Sequence, residues 1–205
     1  MIVWDAPDPY NVAFTTRVGG VSGGPFESLN LGALTDDDPH NVAENRRRAC
    51  DAVGADAETA TMAWQHHSAE VRKAEARGIV TPGTQFERCD GLWSDEPGQA
   101  MMLLAAGARA LGGGRLSAAI GPGIGPCCYE VAADVAEPFR RAYGDDVLTE
   151  GRLDLWAAAE RALSEAGCAE VERTDLCTFC HPELFFSHRR DRGLTGRQGI
   201  VAYIG

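Results

Sequence analysis

The sequence predicts an α+β fold of layered mixed β-sheets with packed helices, in a single domain over residues 1–205. The chain has 205 residues, of which 44% are hydrophobic and 24% charged, so it is long enough to bury one sizeable core. Helical and strand patterns follow one another without the regular strand–helix–strand order of a doubly wound sheet. No repeat or low-complexity linker divides the chain.

Composition narrows the class of protein. A formal net charge of -11 argues against nucleic acid and against an anionic membrane surface as partners. No apolar run is long enough to span a bilayer, and the first residues lack the basic and apolar segments of a signal peptide. We therefore expect a cytoplasmic protein whose seven cysteines are reduced thiols. The oligomeric state is left open.

The first predicted strand, residues 12–15, runs into a glycine-rich loop over residues 15–32. This loop holds five glycines and one proline, and glycine allows close backbone approach and positive φ. Loops that hold a fixed shape often carry function. Arg17 and Asn30 are its candidate binding groups. The alternative is a purely structural connection between strands.

The remaining elements follow from periodicity and from helix start and stop signals. Acidic residues 36–38 begin a helix over 42–53 that ends at Gly54, and its Arg46-Arg47-Arg48 run is interpreted as a solvated face. The other predicted elements are strands at 62–64, 101–106, 116–120 and 200–204, a helix over 131–143, and a helix from 153 that ends at Gly167.

Gln65-His66-His67-Ser68 is the best metal-binding candidate. Adjacent side chains at the end of a strand point in opposite directions, so at most one of the two imidazoles faces a given site. The alternative is a polar surface histidine.

Two cysteine motifs follow. Residues 121–131 form a Gly-Pro loop that opens a helix and carries Cys127 and Cys128. A helix N-terminus binds anions and lowers a thiol's pKa. This loop therefore either lines a site for phosphate or substrate, or forms a tight turn with two buried cysteines. Cys127 is also a candidate nucleophile.

Residues 177–181 match the C-x-x-C-H pattern of haem attachment, which requires export. A four-ligand zinc site usually has a second C-x-x-C, and none exists. Near the C-terminus, Arg189, Arg190 and Arg197 are candidates for phosphate or for ion pairing with Asp191.

These stretches together resemble one family. Residues 15–32 resemble its signature TTR-x-GGVS-x-GPF-x-SLNLG, residues 121–131 its GP-x-IGPCCYEV, and residues 185–198 its FFSYRR…TGRQ ending. Residues 65–68 align with its QVHG, with His66 and Ser68 in place of Val and Gly, and residues 177–180 with its CT-x-C. The chain thus resembles the laccase-domain family, also called the YfiH-type polyphenol oxidase family, over nearly its whole length.

Members of this family are read as zinc-dependent purine nucleoside phosphorylases. The resemblance implies a YfiH-like α+β fold, a purine nucleoside (adenosine or inosine) and phosphate as ligands, and adenosine deamination and methylthioadenosine phosphorolysis as further activities. It implies zinc (Zn) at His67, phosphate at Arg17 or Arg197, and ribose or base at Asn30. An older alternative is copper-dependent (Cu) phenol oxidation, for which this chain lacks the His-x-His pairs of a multicopper centre.

The chain departs from the family after Ala106. There the family has a D-C-x-P segment and then H-A-G-W-R-G, which supply the other two zinc ligands. Here Ala106 runs directly into residues 107–112, which look like the end of the later helix. A segment on the order of 30 residues, enough for two strands and a helix start, is absent, and its loss should leave neighbouring strands unpaired.

Three explanations remain open. In the first, the protein has a segment that this sequence omits. In the second, the chain is a binding or scaffold relative that holds no metal. In the third, Cys89, Cys127 or Cys128 act as metal ligands in place of the missing ones.

Overall fold

The structure is a computed structural model, and it describes residues 1–66, 68, 70–78, 87–103, 108–109 and 116–205. The chain forms two compact units. The first unit is Met1–Ala105 with Glu183–Gly205, and the second unit is Ala106–Pro182.

The first unit is built on a six-stranded sheet and one long helix. The sheet order is β1-β2-β13-β7-β3-β5. Its strands are β1 (Ile2–Trp4), β2 (Tyr10–Phe14), β3 (Thr61–Trp64), β5 (Glu87–Arg88), β7 (Met101–Leu103) and β13 (Ile200–Ile204). A separate parallel pair joins β4 (Val71–Lys73) to β6 (Gly91–Trp93). The C-terminal strand β13 lies between β2 and β7 and is antiparallel to both, so the two ends of the chain meet in the middle of the sheet.

Helix α1 (Pro39–Asp51) packs its apolar face on this sheet. Asp38 caps its first turn by accepting the backbone N–H of His40 at 2.8 Å, and Pro39 suits the first helical position because the N–H it lacks would have no helical partner. The core of the unit is a cluster of small and medium side chains that includes Leu31, Ala49, Cys50, Met62, Met102 and Val201.

The second unit contains a three-stranded sheet in the order β12-β9-β8. Its elements are β8 (Ala108–Arg109), β9 (Leu116–Ile120), α2 (Ala133–Tyr143), β10 (Leu148–Thr149), β11 (Arg152–Leu153), α3 (Leu155–Glu165) and β12 (Cys168–Arg173). Strands β9 and β12 run parallel, and α3 connects to β12 directly. Two apolar clusters form in this unit, one around Trp156 and one around Leu153.

The predicted mixture of helices and sheets is confirmed, and most element positions agree within a few residues. One interpretation was wrong: residues 108–109 form a strand antiparallel to β9 rather than a helix end, and residues 107 and 110–112 lie outside the described residues. The two described strands next to the missing segment are both paired, β7 with β13 and β3 and β8 with β9, so the expectation of unpaired strands was wrong for them.

Among the described residues, no helix combines the length and the apolar character that crossing a bilayer requires. The extent of a single domain over residues 1–205 stays a prediction.

Candidate functional site

The glycine-rich loop closes tightly on itself. The carbonyl oxygen of Arg17 accepts the backbone N–H groups of Ser28 and Leu29 at 2.9 and 2.7 Å. The hydroxyl of Ser28 accepts the N–H groups of Gly19 and Gly20 at 3.1 Å each. A Cβ at Gly20 would lie 2.1 Å from the Ser28 carbonyl oxygen, so this position requires glycine for close approach.

Helix α1 holds the loop through Asn45. Its side-chain oxygen accepts the N–H of Val21 at 2.8 Å. Its amide donates to the Ser22 hydroxyl and to the carbonyl oxygens of Ser28 and Asn30. Asn45 is fully buried, so these bonds cross-link loop and helix without access to solvent.

Asn30 is also fully buried. Its amide donates to the Thr35 hydroxyl and to a carboxylate oxygen of Asp37, at 2.9 Å each. Its oxygen accepts the backbone N–H groups of Gly32 and Arg197 at 2.9 and 2.8 Å. An amide side chain has two donor hydrogens and one oxygen with two lone pairs, so all of its capacity is used within the protein. The structure therefore places Asn30 as a residue that positions its neighbours.

Arg17 is half-buried beside the same loop. Its Nε donates to the Glu27 carbonyl oxygen at 2.6 Å, and its guanidinium lies 4.8 Å from the centre of the Phe186 ring. Arg17 does not line the cavity described next.

A cavity of about 260 Å³ opens in the first unit. Its lining consists of Gly32, Ala33, Leu34, Thr35, Arg46, Met62, Ala63, Trp64, Gln65 and Arg197. The described lining thus includes two arginines and no acidic residue, cysteine or histidine, and this composition favours an anion.

Arg46 is the unexpected member of this lining. It is 1% exposed and donates through Nε and one terminal nitrogen to the Leu31 carbonyl oxygen, at 2.9 and 2.8 Å. Burial lowers the pKa of Arg46 to about 10.

The interpretation of residues 46–48 as a solvated face was therefore wrong for Arg46. It holds for Arg47 and Arg48, which pair with Glu44 at the surface. The missed signal was spacing: Arg46 lies four residues after Val42 and four before Cys50, both buried on the same helix face.

Arg197 reaches the cavity from the segment before β13. Its guanidinium donates to the carbonyl oxygens of Thr195 and Gly196 and to Nδ1 of His188 at 3.3 Å. Burial lowers the pKa of Arg197. A Cβ at Gly32 would lie 2.8 Å from Cγ of Arg197, so the last glycine of the loop makes room for this side chain. Within the described part of the chain, no carboxylate pairs with Arg197.

Arg190, one of the two other C-terminal candidates, has different partners from Arg197. Arg190 pairs with Asp191 at 2.8 Å and donates to the Phe185 carbonyl oxygen at 3.0 Å. The ion-pair alternative therefore applies to Arg190.

The predicted metal ligand His67 lies outside the described residues, and its role stays a prediction. Both of its neighbours are held by one carboxylate. Asp90 accepts the backbone N–H of His66 at 3.1 Å and both the N–H and hydroxyl of Ser68, at 2.8 and 2.7 Å. Gln65, two residues before His67, is part of the cavity lining.

A second candidate site lies in the second unit, where the two cysteine motifs meet. The sulfur atoms of Cys127, Cys128, Cys177 and Cys180 all lie within 4.8 Å of one another. Among the described residues this is the one group of three or more side chains with metal-binding potential. The absence of a second C-x-x-C therefore did not prevent a four-thiol cluster, because adjacent Cys127 and Cys128 supply the other pair.

The expectation of a helix N-terminus at these thiols was wrong. Helix α2 begins only at Ala133, and burial raises the pKa of Cys127 to about 11 and raises the pKa of Cys128 as well. A nucleophilic role for Cys127 is accordingly disfavoured. The third candidate ligand, Cys89, is buried in the first unit beside Ala63 and Leu92.

Comparison with known proteins defines the class to which this fold and site belong. The family model described as multi-copper polyphenol oxidoreductase laccase matches residues 11–111 and 106–205. The chain belongs to this laccase-domain family.

Its relatives include proteins named purine nucleoside phosphorylase. The chain is 32% identical to YfiH of Escherichia coli (strain K12), with 100% of this chain and 98% of the relative covered. It is 38% identical to the protein from Deinococcus radiodurans over 92% of this chain and 87% of the relative. The crystal structure of YlmD from Geobacillus stearothermophilus superposes with a TM-score of 0.85 at 29% identity, covering 97% of this chain and 94% of that one.

The relatives are longer inside the matched region. The alignment to Escherichia coli YfiH spans 245 positions against the 205 residues of this chain, so about 40 aligned positions have no residue in it. The family model matches in two parts that meet at residues 106–111. This is where the motif comparison locates the missing segment.

Proposed function

We propose that this protein catalyses the phosphate-dependent cleavage of purine nucleosides, with adenosine or inosine as substrate, at the cavity of the first unit. A phosphate oxygen forms a bond to C1′ of the ribose and the N-glycosidic bond breaks. The electron pair of that bond leaves with the base, which takes up a proton, and the products are ribose 1-phosphate and the free purine. The names of the relatives support this reaction class.

The observation that carries the proposal is the pair of guanidinium groups, Arg46 and Arg197, at one cavity. Arg46 is fully buried and Arg197 is half-buried, and this loss of solvent lowers the pKa of each. A charged hydrogen bond is stronger in such surroundings than in water, and a guanidinium matches two oxygens of a phosphate at once. We assign Arg197 to phosphate binding and add Arg46, in preference to Arg17, as its partner.

Two other residues of the lining suit a nucleoside. The Trp64 indole, which has the Arg88 guanidinium 5.2 Å from its ring centre, is a side chain of the kind that stacks with purines, an interaction worth about 1–3 kcal/mol per base. The Gln65 amide can donate to and accept from the edge of the base. Asn30 contributes by holding the backbone of Gly32 and Arg197, rather than by touching ribose itself.

Metal at this cavity is a separate question. None of the described lining residues carries an imidazole, thiol or carboxylate, so none of them is a zinc ligand, and no step of the proposed reaction is routed through a metal. Zinc binding by His67 stays a prediction. Adenosine deamination, methylthioadenosine phosphorolysis and copper-dependent phenol oxidation are further activities to be assayed in parallel.

A second candidate function is a non-catalytic binding or scaffold role. It is supported by the difference in length from the relatives, because the resemblance to the family implies that the missing segment carries the other two metal ligands. In this case the cavity would retain affinity for phosphate or nucleoside without turnover.

One experiment separates the two candidates. The intact mass is measured first, and a value of 21.9 kDa establishes that the protein consists of these 205 residues alone. Purified folded protein is then incubated with inosine, with and without phosphate. Hypoxanthine release that requires phosphate supports the enzyme. Absence of release, in protein of the stated mass that still binds inosine, contradicts the enzyme and supports the binding role.

A further inference from the structure

Four cysteines from two separate motifs converge in the second unit. Cys180 lies 3.6 Å from Cys127 and 3.4 Å from Cys128, sulfur to sulfur, and Cys177 completes the group within 4.8 Å. Cys127 and Cys180 are exposed, Cys128 is intermediate and Cys177 is buried. We propose that these four thiols bind one zinc ion as a closed structural site.

The spacing of the sulfurs agrees with tetrahedral coordination. With a Zn–S distance of about 2.3 Å, the sulfurs of a tetrahedral site stand about 3.8 Å apart. The two separations from Cys180, 3.6 and 3.4 Å, and the 4.8 Å limit for the whole group bracket that value. A disulfide requires about 2.0 Å, so none of these thiols is bonded to another.

The backbone around the cluster is arranged to hold it. Gly123 donates to the Leu176 carbonyl oxygen, and Thr178 donates to the Gly123 carbonyl oxygen at 2.9 Å, which ties the two cysteine segments together. A Cβ at Gly125 would lie 2.5 Å from the Trp156 ring and 3.4 Å from the Cys127 sulfur. Glycine at this position therefore allows the first segment to pack against the Trp156 ring, next to the cluster.

The Cys177 sulfur also has donors directed at it. The backbone N–H of Gly125 donates to it at 3.3 Å, and the N–H groups of Phe179 and Cys180 do so as well. Such donors orient a metal-binding sulfur and offset the charge that it carries when coordinated.

The donor set determines the chemistry. Four sulfur ligands in tetrahedral positions suit zinc, which has no geometric preference of its own and is bound well by thiolates. Binding releases the four thiol protons to solvent and leaves a site of net charge −2. Since all four positions would be filled by protein, no position remains for water or substrate, and the role is structural.

The site would stabilise two segments that have little regular structure. Residues 121–132 and 174–182 contain no helix or strand longer than an isolated bridge. They pack over the apolar cluster of Ile120, Trp156 and Cys177. A zinc ion here would cross-link them across about 50 positions of sequence, which restricts the unfolded chain far more than the folded one.

The test uses the full-length protein, reduced, loaded with zinc and freed of excess metal. We expect one equivalent of zinc to be lost in Cys180→Ser and in the double variant Cys177→Ser/Cys180→Ser, relative to the wild-type protein. The matched control Cys168→Ala, in the same unit but outside the cluster, should retain it. The measured quantity is the difference in zinc content between each variant and the wild-type protein. Zinc bound at any other site is present in both proteins and does not contribute to this difference.

A second measurement needs no variant. Iodoacetamide labelling mapped by mass spectrometry should find the exposed thiols Cys127 and Cys180 protected in zinc-loaded protein, and labelled at least tenfold faster after a chelator is added. Cobalt substitution should produce the intense visible bands of tetrahedral thiolate coordination in wild type and Cys168→Ala only.

Three results would overturn the proposal. The first is equal zinc content in wild type and both cluster variants, with rapid labelling of Cys127 and Cys180 before chelation. The second is a cluster cysteine recovered as a disulfide from protein kept under reductant. The third is one equivalent of iron in place of zinc after loading with both metals.

Discussion

The side-chain oxygen of Asn30 accepts the backbone N–H of Arg197 at 2.8 Å, across 167 positions of sequence. The same oxygen accepts the N–H of Gly32 at 2.9 Å. One buried amide thus joins the glycine-rich loop to the C-terminal segment that carries a cation of the cavity. Asn30 and Arg197 both belong to motifs that are visible in the sequence. The hydrogen bond between them gives a structural reason for the two motifs to occur in one chain.

Asn30→Ala should destabilise the fold strongly. It removes four hydrogen bonds at a fully buried position and leaves backbone N–H groups without partners. The free energy of unfolding should fall by about 3 kcal/mol or more, measured by urea denaturation. Asn11→Ala, at an exposed amide, is the control and should change it by less than about 0.5 kcal/mol. An Asn30→Ala protein as stable as the control would refute the positioning role.

Arg197→Gln should weaken phosphate use selectively. The guanidinium loses its charge and its paired donors, and a hydrogen bond to a charged group contributes about 1.5–3 kcal/mol. The KM for phosphate should therefore rise roughly 10- to 100-fold, while the KM for inosine changes little, in steady-state phosphorolysis assays. Arg48→Gln, on the exposed face of α1, should leave both constants unchanged. Equal loss in both variants, or a rise in the inosine KM alone, would count against the assignment.

The glycines of the loop should differ sharply in tolerance. A Cβ at Gly20 would meet backbone atoms of Ser28 and Leu29 at 2.1 and 2.4 Å, whereas a Cβ at Gly23 would meet nothing within 4 Å. Backbone cannot move aside as a flexible side chain can, so Gly20→Ala should cost about 3 kcal/mol or more of unfolding free energy. Gly23→Ala is the matched control and should cost less than about 1 kcal/mol. Thermal melting of both proteins compares them directly, and similar melting temperatures would show that the loop is looser than these contacts imply.

Asp191 should make stability depend on acid pH. Burial raises the pKa of this carboxyl, but the Arg190 guanidinium and the Thr195 hydroxyl outweigh that effect, so its pKa lies below the ordinary value. The stabilisation is present above the unfolded pKa of about 3.9 and is lost as pH falls through the lower folded value.

Asp191→Asn should accordingly reduce the unfolding free energy at neutral pH by about 1–3 kcal/mol, and the difference from wild type should shrink steadily below about pH 4. Urea denaturation of both proteins at a series of pH values, from neutral to below about pH 4, measures this difference in unfolding free energy. Asp36→Asn, at an exposed carboxylate, serves as control. A difference between Asp191→Asn and wild type that stays constant down to the lowest pH would contradict the linkage.

Several features could be predicted from local sequence because their causes are local. Strands such as Leu116–Ile120 and Ile200–Ile204 follow from short apolar runs, and α1 and α3 follow from helical spacing with acidic caps and glycine ends. The side-chain periods of helix and strand are properties of the backbone itself. Arg197, a candidate phosphate-binding residue in the cavity lining, was likewise found from a sequence motif.

Other features depended on packing between distant segments. Three consecutive arginines look alike in sequence, yet α1 turns Arg46 into the cavity and leaves Arg47 and Arg48 at the surface. The spacing of Arg46 from the buried residues Val42 and Cys50 indicates its inward position. A run of three charged residues is a stronger local signal, however, and it predicts exposure to solvent. Hydrogen bonds such as those to the carbonyl oxygen of Leu31 make burial of that cation tolerable.

The family, the glycine-rich loop, the three α-helices and five of the thirteen described strands could be identified from the sequence, since these features depend on residues close together in the chain. Packing between distant segments set which arginine is buried, which glycine is crowded by backbone, and how two cysteine pairs about 50 positions apart form one cluster. The physical reason is that these outcomes depend on distances between segments, and such distances are set by the packed core rather than by local periodicity.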